Sequence, residues 1–355
     1  MNWYDILIVV ILFLGFSLII NGLFLKFSDN LGLRTAKNNG VRWNPNQKPS
    51  FGGITFYILF LISVIAFSML DPNAMLIRNI EFLGFMLALS IGFVAGLFDD
   101  AFDTKPFIKL GLQLLTAVVM IFSNTYIQIT GVYSLNVAIT LVWVVGIMNA
   151  INLLDNMDAI SSIVVMSILA TFLVIMQLNG LSDGPYLFVT IGLMAAIGGF
   201  LFFNWHPSKL FMGDTGSMFL GSVVAFMGIK YAWNLQLESL EPVAWQKVLV
   251  MLVIFIVPLT DTTTVFCKRI CSGKSPFVGG KDHTTHHLSY LGLSERLVAL
   301  VYIGIGLFSV LAILKMLTLL NRWNGFLTLG YVTFVSAVFF GLFYIAHLNR
   351  HKEKE

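Results

Sequence analysis

The sequence is dominated by apolar runs of about 20 residues, separated by short segments that carry most of the charge. A helix of that length spans ~30 Å, the thickness of the hydrocarbon layer of a bilayer. Only 11% of the residues are charged, whereas soluble proteins contain about 25%. The sequence therefore predicts an all-α polytopic membrane protein and excludes an ordinary soluble one.

Eleven runs are predicted to be transmembrane helices. They lie at 6–25, 52–70, 80–98, 107–123, 135–154, 160–178, 186–203, 217–234, 248–266, 297–320 and 325–347. The first run is too long for a cleaved signal peptide and lacks a basic flank. We expect one integral-membrane domain over residues 1–355, with a cytoplasmic histidine-containing loop at 267–296.

Basic residues predict the orientation of this bundle. With the N-terminus outside, 16 of the 21 Lys and Arg residues fall on the inner side, as the positive-inside rule requires. The C-terminus is then cytoplasmic. The net charge of +3 is too small to indicate a nucleic-acid partner. Cys267 and Cys271 are expected to be reduced thiols rather than a disulfide framework or a metal site.

Three carboxylates close the third run. Asp99, Asp100 and Asp103 fall within about one helical turn, so their side chains are expected to converge. Carboxylates this close repel one another unless a cation neutralises them, and such hard oxygen ligands suit Mg²⁺. The structural alternative is a solvated loop that caps the next helix, with Thr104 as N-cap and Pro106 in the first turn.

Amides and acids close the fifth run. Asn149, Asn152 and Asn156 share one face of a helix, and Asp155 and Asp158 lie at the same depth. Buried amides need hydrogen-bond partners, which neighbouring helices or a polar ligand could supply. The two carboxylates favour a ligand.

A glycine-flanked acid precedes the eighth run, in the segment F-M-G-D-T-G-S at 211–217. Because a helix is expected to begin here, backbone N–H groups could face an anion. A capped turn would explain the same pattern.

Three of the six histidines, His283, His286 and His287, fall within five positions. The spacing of a zinc site is missing, and the nearby Lys281 and Arg296 favour phosphate binding. A zinc site and a basic loop without function are the alternatives.

All four clusters are predicted to lie at the cytoplasmic face. Together they indicate phosphoryl transfer between a phosphorylated lipid and a soluble phosphorylated partner, because charge neutralisation and positioning supply most of that catalysis.

The clusters, in this order, resemble the motifs of the polyprenyl-phosphate N-acetylhexosamine-1-phosphate transferases, the family of MraY and WecA. The resemblance runs from P-S-F-G-G-I at 49–54 through D-D-x-x-D, N-x-x-N-x-x-D-x-x-D and F-M-G-D-T-G-S to the histidine loop. It implies transfer of a HexNAc 1-phosphate, most simply GlcNAc 1-phosphate, from a UDP-sugar to undecaprenyl or another polyprenyl phosphate, with release of UMP. It also implies a bacterial inner-membrane enzyme that begins a cell-envelope glycan pathway.

The resemblance further implies roles for individual residues. Asp99, with Asp100 beside it, matches the acid that deprotonates the lipid phosphate, and Asn152 and Asp214 match the ligands of Mg²⁺, for which Mn²⁺ could substitute. Phe211 matches the aromatic residue that stacks on uracil. Substrate contacts are implied for Asp103, Asn149, Asp155, Asp158, Phe211, His283, His286 and His287. Direct attack by the lipid phosphate and a covalent enzyme intermediate both remain open, as do a monomer and a homodimer.

Two departures from the family pattern stand out. Asn156 and Ala159 replace usual glycines, and Ala159 suits a helical φ but not a positive one. The histidine loop reads D-H-x-x-H-H rather than the P-x-H-H-H of the muramyl-pentapeptide enzymes. Together with eleven spans and an inner C-terminus, this favours the WecA-like branch.

Three other functions compete with this interpretation. An intramembrane prenyltransferase would use acid-rich D-x-x-D motifs but would leave the histidine loop and F-M-G-D-T-G-S without a role. A transporter would place polar residues near the midplane, often in paired repeats, and the sequence shows neither pattern. An inactive scaffold of the same family is disfavoured because the acids are intact.

Overall fold

The computed structural model describes residues 3–28, 48–181, 184–236, 242–273, 275, 280–319 and 323–349. Over these ranges the chain forms thirteen α-helices and no strand. The helices are α1 (Trp3–Phe27), α2 (Gly52–Leu70), α3 (Ile80–Phe102), α4 (Pro106–Phe122), α5 (Tyr133–Leu154), α6 (Ile160–Leu178), α7 (Pro185–Asn204), α8 (Gly213–Gly228), α9 (Ala244–Ile254), α10 (Ile256–Cys271), α11 (Thr284–Tyr290), α12 (Glu295–Thr318) and α13 (Gly325–Leu348). Part of the basic set used to predict orientation lies outside the described residues, namely Arg34, Lys37, Arg42, Lys274, Arg322, Arg350, Lys352 and Lys354.

Eight of the described helices are long and apolar enough to cross a bilayer: α1, α2, α3, α5, α6, α7, α12 and α13. The fourth predicted span corresponds to α4, which has only 17 residues. The eighth corresponds to the 16-residue α8 and a π-helical turn at Ile229–Trp233 that extends it. The all-helical, multi-pass membrane architecture therefore agrees with the sequence-based expectation.

The ninth predicted span is not one continuous helix in the structure. It consists of α9 and α10, which meet at an angle of 80°. Phe255 breaks the helix with φ −101° and ψ 20°, and Pro258 follows in the first turn of α10. A proline in a first helical turn forfeits no intrahelical hydrogen bond, whereas in the middle of a straight span it would disrupt one. Because of this break, α10 and its polar residues do not continue along the axis of α9.

Helix α8 lies at the centre of the bundle and packs against α2, α3, α5 and α6. Every residue from Thr215 to Gly228 is buried. Two glycines on neighbouring helices permit this close packing. A Cβ on Gly53 would lie 2.1 Å from the backbone nitrogen of Gly216, and one on Gly96 would lie 2.1 Å from the backbone oxygen of Asp214. The start of α8 is thereby fixed against α2 and α3.

The helices at the periphery present large apolar side chains outward. Leu7, Ile11 and Ile19 on α1 are exposed, as are Leu329 and Phe340 on α13. Apolar surface of this extent marks contact with lipid rather than water. This pattern fits a bundle surrounded by hydrocarbon.

Polar residues gather where alternate helices end and begin. Asp99, Asn152 and Asn204 lie near the last turns of α3, α5 and α7, and Asp214 and Glu295 lie in the first turns of α8 and α12. Because consecutive helices run in opposite directions, these positions share one end of the bundle. At the start of α3 lies a separate ion pair between Glu81 and Lys230, to which the Tyr186 hydroxyl also donates.

Candidate active site

A cavity of about 280 Å³ opens at the polar end of the bundle. Eight of the twelve predicted site residues line it: Asp100, Asn152, Asp155, Asp158, Phe211, Asp214, His283 and His286. Its wall is completed by Ser50, Leu153, Asn156, Met157, Asn204, Gly213, Gly280 and Glu295. Segments between residues 50 and 295 thus meet at one site.

The ammonium group of Lys109 connects the acids of this site. Its Nζ donates to Asp99 Oδ2 at 2.9 Å, to Asn152 Oδ1 at 3.1 Å and to Asp214 Oδ2 at 3.3 Å. Lys109 reaches them from the first turns of α4, which begins with Pro106 just after α3 ends. One cation therefore neutralises two carboxylates contributed by different helices.

Asn152 links α5 to the start of α8. Its Nδ2 donates to Asp214 Oδ1 and, at 2.8 Å, to Ser217 Oγ. Its Oδ1 accepts from Lys109. Asn152 and Asp214, predicted as metal ligands, therefore present oxygens to the same small volume beside the cavity.

Asp100 caps α8 from another helix. Its carboxylate accepts from the backbone N–H groups of Asp214 at 3.0 Å and Thr215 at 2.9 Å, and from the Thr215 hydroxyl at 2.6 Å. The start of α8 does bind an anion, as the glycine-flanked pattern indicated, but that anion is Asp100 of the same chain. A negative charge there also interacts favourably with the helix dipole.

Asp103 does not join the other two carboxylates on a helical turn. Helix α3 ends at Phe102, and Asp103 is exposed and adopts a left-handed conformation with φ 52°. Thr104 is not the N-cap of α4, since Lys105 holds that position. Instead, the Thr104 backbone N–H and hydroxyl donate to Asp99 Oδ1. The short linker thus fixes Asp99, and Pro106 begins the next helix as expected.

The three predicted amides of α5 face different partners. Helix α5 ends at Leu154, so Asn156 leaves the shared face. Asn149 forms a reciprocal amide pair with Gln113 of α4, at 2.9 and 3.0 Å, and does not line the cavity. This is the interhelical role that the sequence left open. Asn156 accepts from the Thr285 hydroxyl at 2.6 Å and so contacts the histidine segment.

Phe211 lies where two non-helical segments, 48–51 and 210–212, run beside each other. The Phe211 N–H donates to the Pro49 carbonyl at 2.9 Å, and its own carbonyl accepts from Gly52 at 3.1 Å. The Nζ of Lys48 lies 5.1 Å from the centroid of the ring. An aromatic face beside a cation suits a planar, anionic ligand such as a nucleotide.

Asp158 holds the loop between α7 and α8. It accepts from the Ser208 backbone N–H at 3.0 Å and from the Ser208 hydroxyl at 2.7 Å. His206 Nδ1 lies 3.0 Å from Asp158 and 2.9 Å from Glu295. These three side chains have the composition of a metal site, but the separations are those of hydrogen bonds, and Ser208 already occupies both oxygens of Asp158. We therefore assign the group to positioning the loop.

The three histidines of the predicted loop divide between two environments. His283 and His286 line the cavity. His287 does not, because its Nε2 lies 2.7 Å from Lys268 Nζ, which also donates to the Ala346 carbonyl of α13. His287 thus anchors α11 to the last helix. The described cysteines, Cys267 and Cys271, are exposed and are not joined by a disulfide.

An ion pair holds the start of the histidine segment in place. Arg269 donates to both oxygens of Asp282, each at 2.7 Å. This guanidinium holds the pKa of Asp282 below its usual value despite burial of the carboxyl group. Burial lowers the pKa of His286 to about 3, with a further contribution from His283, and lowers that of His287 to about 4. His286 and His287 are therefore neutral at neutral pH.

Ala159 adopts the conformation that an alanine disfavours. Its φ is +67°, in the left-handed region, where the family usually has glycine. Its N–H donates to Asn204 Oδ1 at 3.0 Å, and Asn204 donates in turn to the Leu210 carbonyl. This hydrogen-bonded setting holds the turn that carries Asp155 and Asp158.

Sequence reasoning missed several residues of the site, chiefly Lys109, Lys48, His206 and Glu295. Lys109 had a detectable signal, since it stands one turn into a helix directly after an acidic cluster. The carboxylate of Asp261 lies against His283 and Thr284. The other residues act through contacts that no local pattern reveals.

Comparison with known proteins shows which family this chain resembles in sequence. The model of a family described as glycosyl transferase family 4 matches residues 82–232. The probable undecaprenyl-phosphate N-acetylglucosaminyl 1-phosphate transferase of Bacillus subtilis (strain 168) is 30% identical over 281 residues, 75% of this chain and 72% of that protein. The decaprenyl-phosphate N-acetylglucosaminephosphotransferase of Mycobacterium leprae (strain TN) is 27% identical over 285 residues, 73% and 71% of the two chains. The phospho-N-acetylmuramoyl-pentapeptide-transferase of Streptococcus pneumoniae (strain CGSP14) is 31% identical over 301 residues, 77% and 85%.

Proposed function

The chain belongs to glycosyl transferase family 4, and from this membership we propose that it transfers a HexNAc 1-phosphate from a UDP-sugar to a polyprenyl phosphate. The family indicated by the motifs is thereby confirmed. The relatives' names support polyprenyl-phosphate sugar-1-phosphate transfer as the general activity. The finer proposal is GlcNAc 1-phosphate as the transferred group and undecaprenyl phosphate as the acceptor. The enzyme would act in a bacterial inner membrane, at the first step of a cell-envelope glycan.

The observation that carries this proposal is the convergence of Asp99, Asn152 and Asp214 on Lys109 beside the cavity. In the proposed reaction, an oxygen of the lipid phosphate forms a bond to the β-phosphorus of the donor. The bond from that phosphorus to the bridging oxygen breaks, and UMP leaves. Catalysis of such a transfer depends on positioning and on neutralising phosphate charge, which a lysine among carboxylates can provide.

We assign the proton of the lipid phosphate to Asp99, whose carboxylate is oriented by Thr104 and Lys109. Asp100 then acts indirectly, because its oxygens hold the first turn of α8 and thereby Asp214. Phe211 and Lys48 are the proposed contacts of the uridine half of the donor. Asp155, Asp158, His283 and His286 surround the remaining volume of the cavity.

The oxygens of Asp214 and Asn152 fit Mg²⁺, which prefers hard oxygen ligands. A cation is already accommodated among these oxygens, since the Lys109 ammonium lies within 3.3 Å of both residues. We propose that Asp214 and Asn152 hold Mg²⁺, for which Mn²⁺ can substitute. When bound, the ion would neutralise charge that develops on the diphosphate.

We also propose eleven membrane crossings, with the N-terminus outside and the site at the cytoplasmic face. This assignment counts α4, α8 with its π-helical turn, and the α9–α10 pair as one crossing each. Two observations support it. The site residues lie at one end of the bundle, and most Lys and Arg residues of the sequence fall in the loops at that end. The whole chain, 1–355, would then be one transferase domain.

The proposal is tested with purified protein, undecaprenyl phosphate, Mg²⁺ and a panel of UDP-sugars. UMP release and the appearance of sugar in the lipid phase are measured together. We expect one HexNAc donor to give both products, and expect chelation of Mg²⁺ to stop the reaction. Asp214→Asn should abolish turnover, because a proposed metal ligand is lost.

The matched control is Asp71→Asn, an exposed acid at the far end of α2. It should retain wild-type turnover. Sugar-independent transport of a nucleotide across vesicles, without UMP release, would overturn the proposal in favour of a transporter. Turnover that persists in Asp214→Asn would remove Asp214 from the metal site while leaving the reaction class intact.

A further inference from the structure

Asp261 is a fully buried carboxylate that the proposed chemistry does not use. It lies on α10, less than two turns beyond the break at Phe255. Its Oδ2 is 2.8 Å from His283 Nδ1, and its Oδ1 accepts from the Thr284 backbone N–H at 2.8 Å and from the Thr284 hydroxyl at 2.6 Å. Burying a charge is costly unless its hydrogen bonds are complete. All the described partners of Asp261 belong to the residues that begin α11.

The directions of these hydrogen bonds follow from the donors available. The Thr284 hydroxyl uses its one proton on Asp261. The Tyr302 oxygen, 2.7 Å from the Thr284 hydroxyl, must therefore be the donor in that contact. A chain of donors from α12 thus ends on Asp261, whose ionised carboxylate can only accept. Consequently His283 Nδ1 carries a proton, and the ring is held in one orientation.

The other ring nitrogen of His283 is the one left for a ligand. Among the described residues, no hydrogen bond involves His283 Nε2, and His283 lines the cavity. The charged and titratable neighbours of the ring are Asp261 of α10, His286 of α11, whose ring centroid is 5.4 Å away, and Asp282, which Arg269 holds.

We propose that Asp261 is a positioning residue that keeps the proton of His283 on Nδ1 and fixes the orientation of the ring, so that Nε2 forms a hydrogen bond with a phosphate group of a bound substrate. This inference rests on the proposed function and deepens it. The phosphate can belong to the diphosphate of the donor or to the lipid phosphate, and kinetics distinguish the two. An effect on the KM of the UDP-sugar alone identifies the donor, and an effect on the KM of the lipid alone identifies the acceptor.

Asp261→Asn is the most informative variant because it keeps the shape of the side chain. An asparagine has one acceptor oxygen for Thr284 and presents an amide N–H to His283 Nδ1. The proton of the imidazole would then move from Nδ1 to Nε2, and the charge-assisted hydrogen bond to the carboxylate would be lost. We expect the KM of one substrate to rise at least tenfold, because Nε2 no longer presents the same hydrogen-bonding group and the ring is held less firmly.

Two further variants separate positioning from general stability. In a His283→Gln background, Asp261→Asn should cause no further loss of activity, because Asp261 acts through His283. Tyr302→Phe removes one hydrogen bond of the same buried network without altering the contact between Asp261 and His283, and it should keep the wild-type KM. Equal losses from Asp261→Asn in both backgrounds would overturn the proposal.

A direct measurement of the His283 protons tests the proposal even if the purified protein shows no transferase activity. Nitrogen-15 NMR of histidine-labelled protein, with the His283 signal assigned through His283→Gln, reports the proton on each ring nitrogen. Protonation of Nδ1 in the wild type and its loss in Asp261→Asn would support the proposal without any assay of activity. An unprotonated Nδ1 in the wild type would overturn the positioning role, whatever the enzyme transfers.

Discussion

The left-handed conformation of Ala159 gives a prediction that can be worked out from the structure. Ala159→Gly should relieve a conformation that costs an L-residue about 1–2 kcal/mol. The substitution also removes a buried methyl group, worth about 0.8 kcal/mol, and adds flexibility to the unfolded chain, worth about 0.5–1 kcal/mol. These contributions nearly cancel, so the free energy of unfolding should change little.

Ala150→Gly is the matched control. Ala150 lies within α5, and both alanines are 2% exposed. The control loses the same methyl group and gains the same unfolded-state entropy but relieves no strain. It should therefore destabilise the protein by about 1–2 kcal/mol. The difference between the two variants isolates the cost of the positive φ.

Equilibrium unfolding in mixed detergent and sodium dodecyl sulfate micelles, followed by circular dichroism, measures both free energies. We expect Ala159→Gly to be about 1–2 kcal/mol more stable than Ala150→Gly. If both variants lose the same stability, the positive φ at Ala159 carries no strain and the reasoning is refuted.

The remaining predictions concern a lysine and a histidine of the site. Lys109→Met should lower turnover about 100- to 1,000-fold, because it removes the donor that connects three site residues. The control is Lys105→Met, at an exposed lysine one turn earlier, which should retain activity. A similar loss of activity in both variants would contradict the role assigned to Lys109. The second prediction concerns unfolding as the pH falls. The pKa of His286 is about 3 in the folded chain and 6.5 as its ordinary value, so protonation favours the unfolded chain and stability should fall as the pH decreases from about 6.5 towards 3. Thermal unfolding measured across this pH range should show a smaller decrease in the unfolding temperature for His286→Gln than for the wild type. The control is His347→Gln, at an exposed histidine of α13, which should behave like the wild type. The same dependence of unfolding temperature on pH in all three proteins would exclude this effect.

Hydropathy was sufficient to predict the membrane bundle because the information is local. A run such as 80–98 identifies a helix without reference to the rest of the chain, and α3 appears there. The direction of a helix is not local information. The bend between α9 and α10 depends on Phe255 and on where Pro258 falls relative to it, and an average over hydropathy hides both.

The candidate site was predictable in its residue types but not in its contacts. Asp214 and Asn152 were placed together by motif, and the structure brings them within hydrogen-bond distance. The pairing of Lys109 with Asp214 spans 105 residues, and no spacing rule covers such a distance. Asn149 shows a different limit, because its position on the helix left a ligand and a neighbouring helix as alternative partners, and the structure pairs it with Gln113 of α4.

The pairing of buried acids has a consequence for biosynthesis. Chains are made from the N-terminus, and a carboxylate that enters a bilayer without a partner is costly. Lys109 follows Asp99 after ten residues and has already been synthesised when Asp214 emerges. His283 follows Asp261 after only 22 residues. The order of segments along the chain therefore supplies each of these acids with a partner within about the time that one helix takes to emerge.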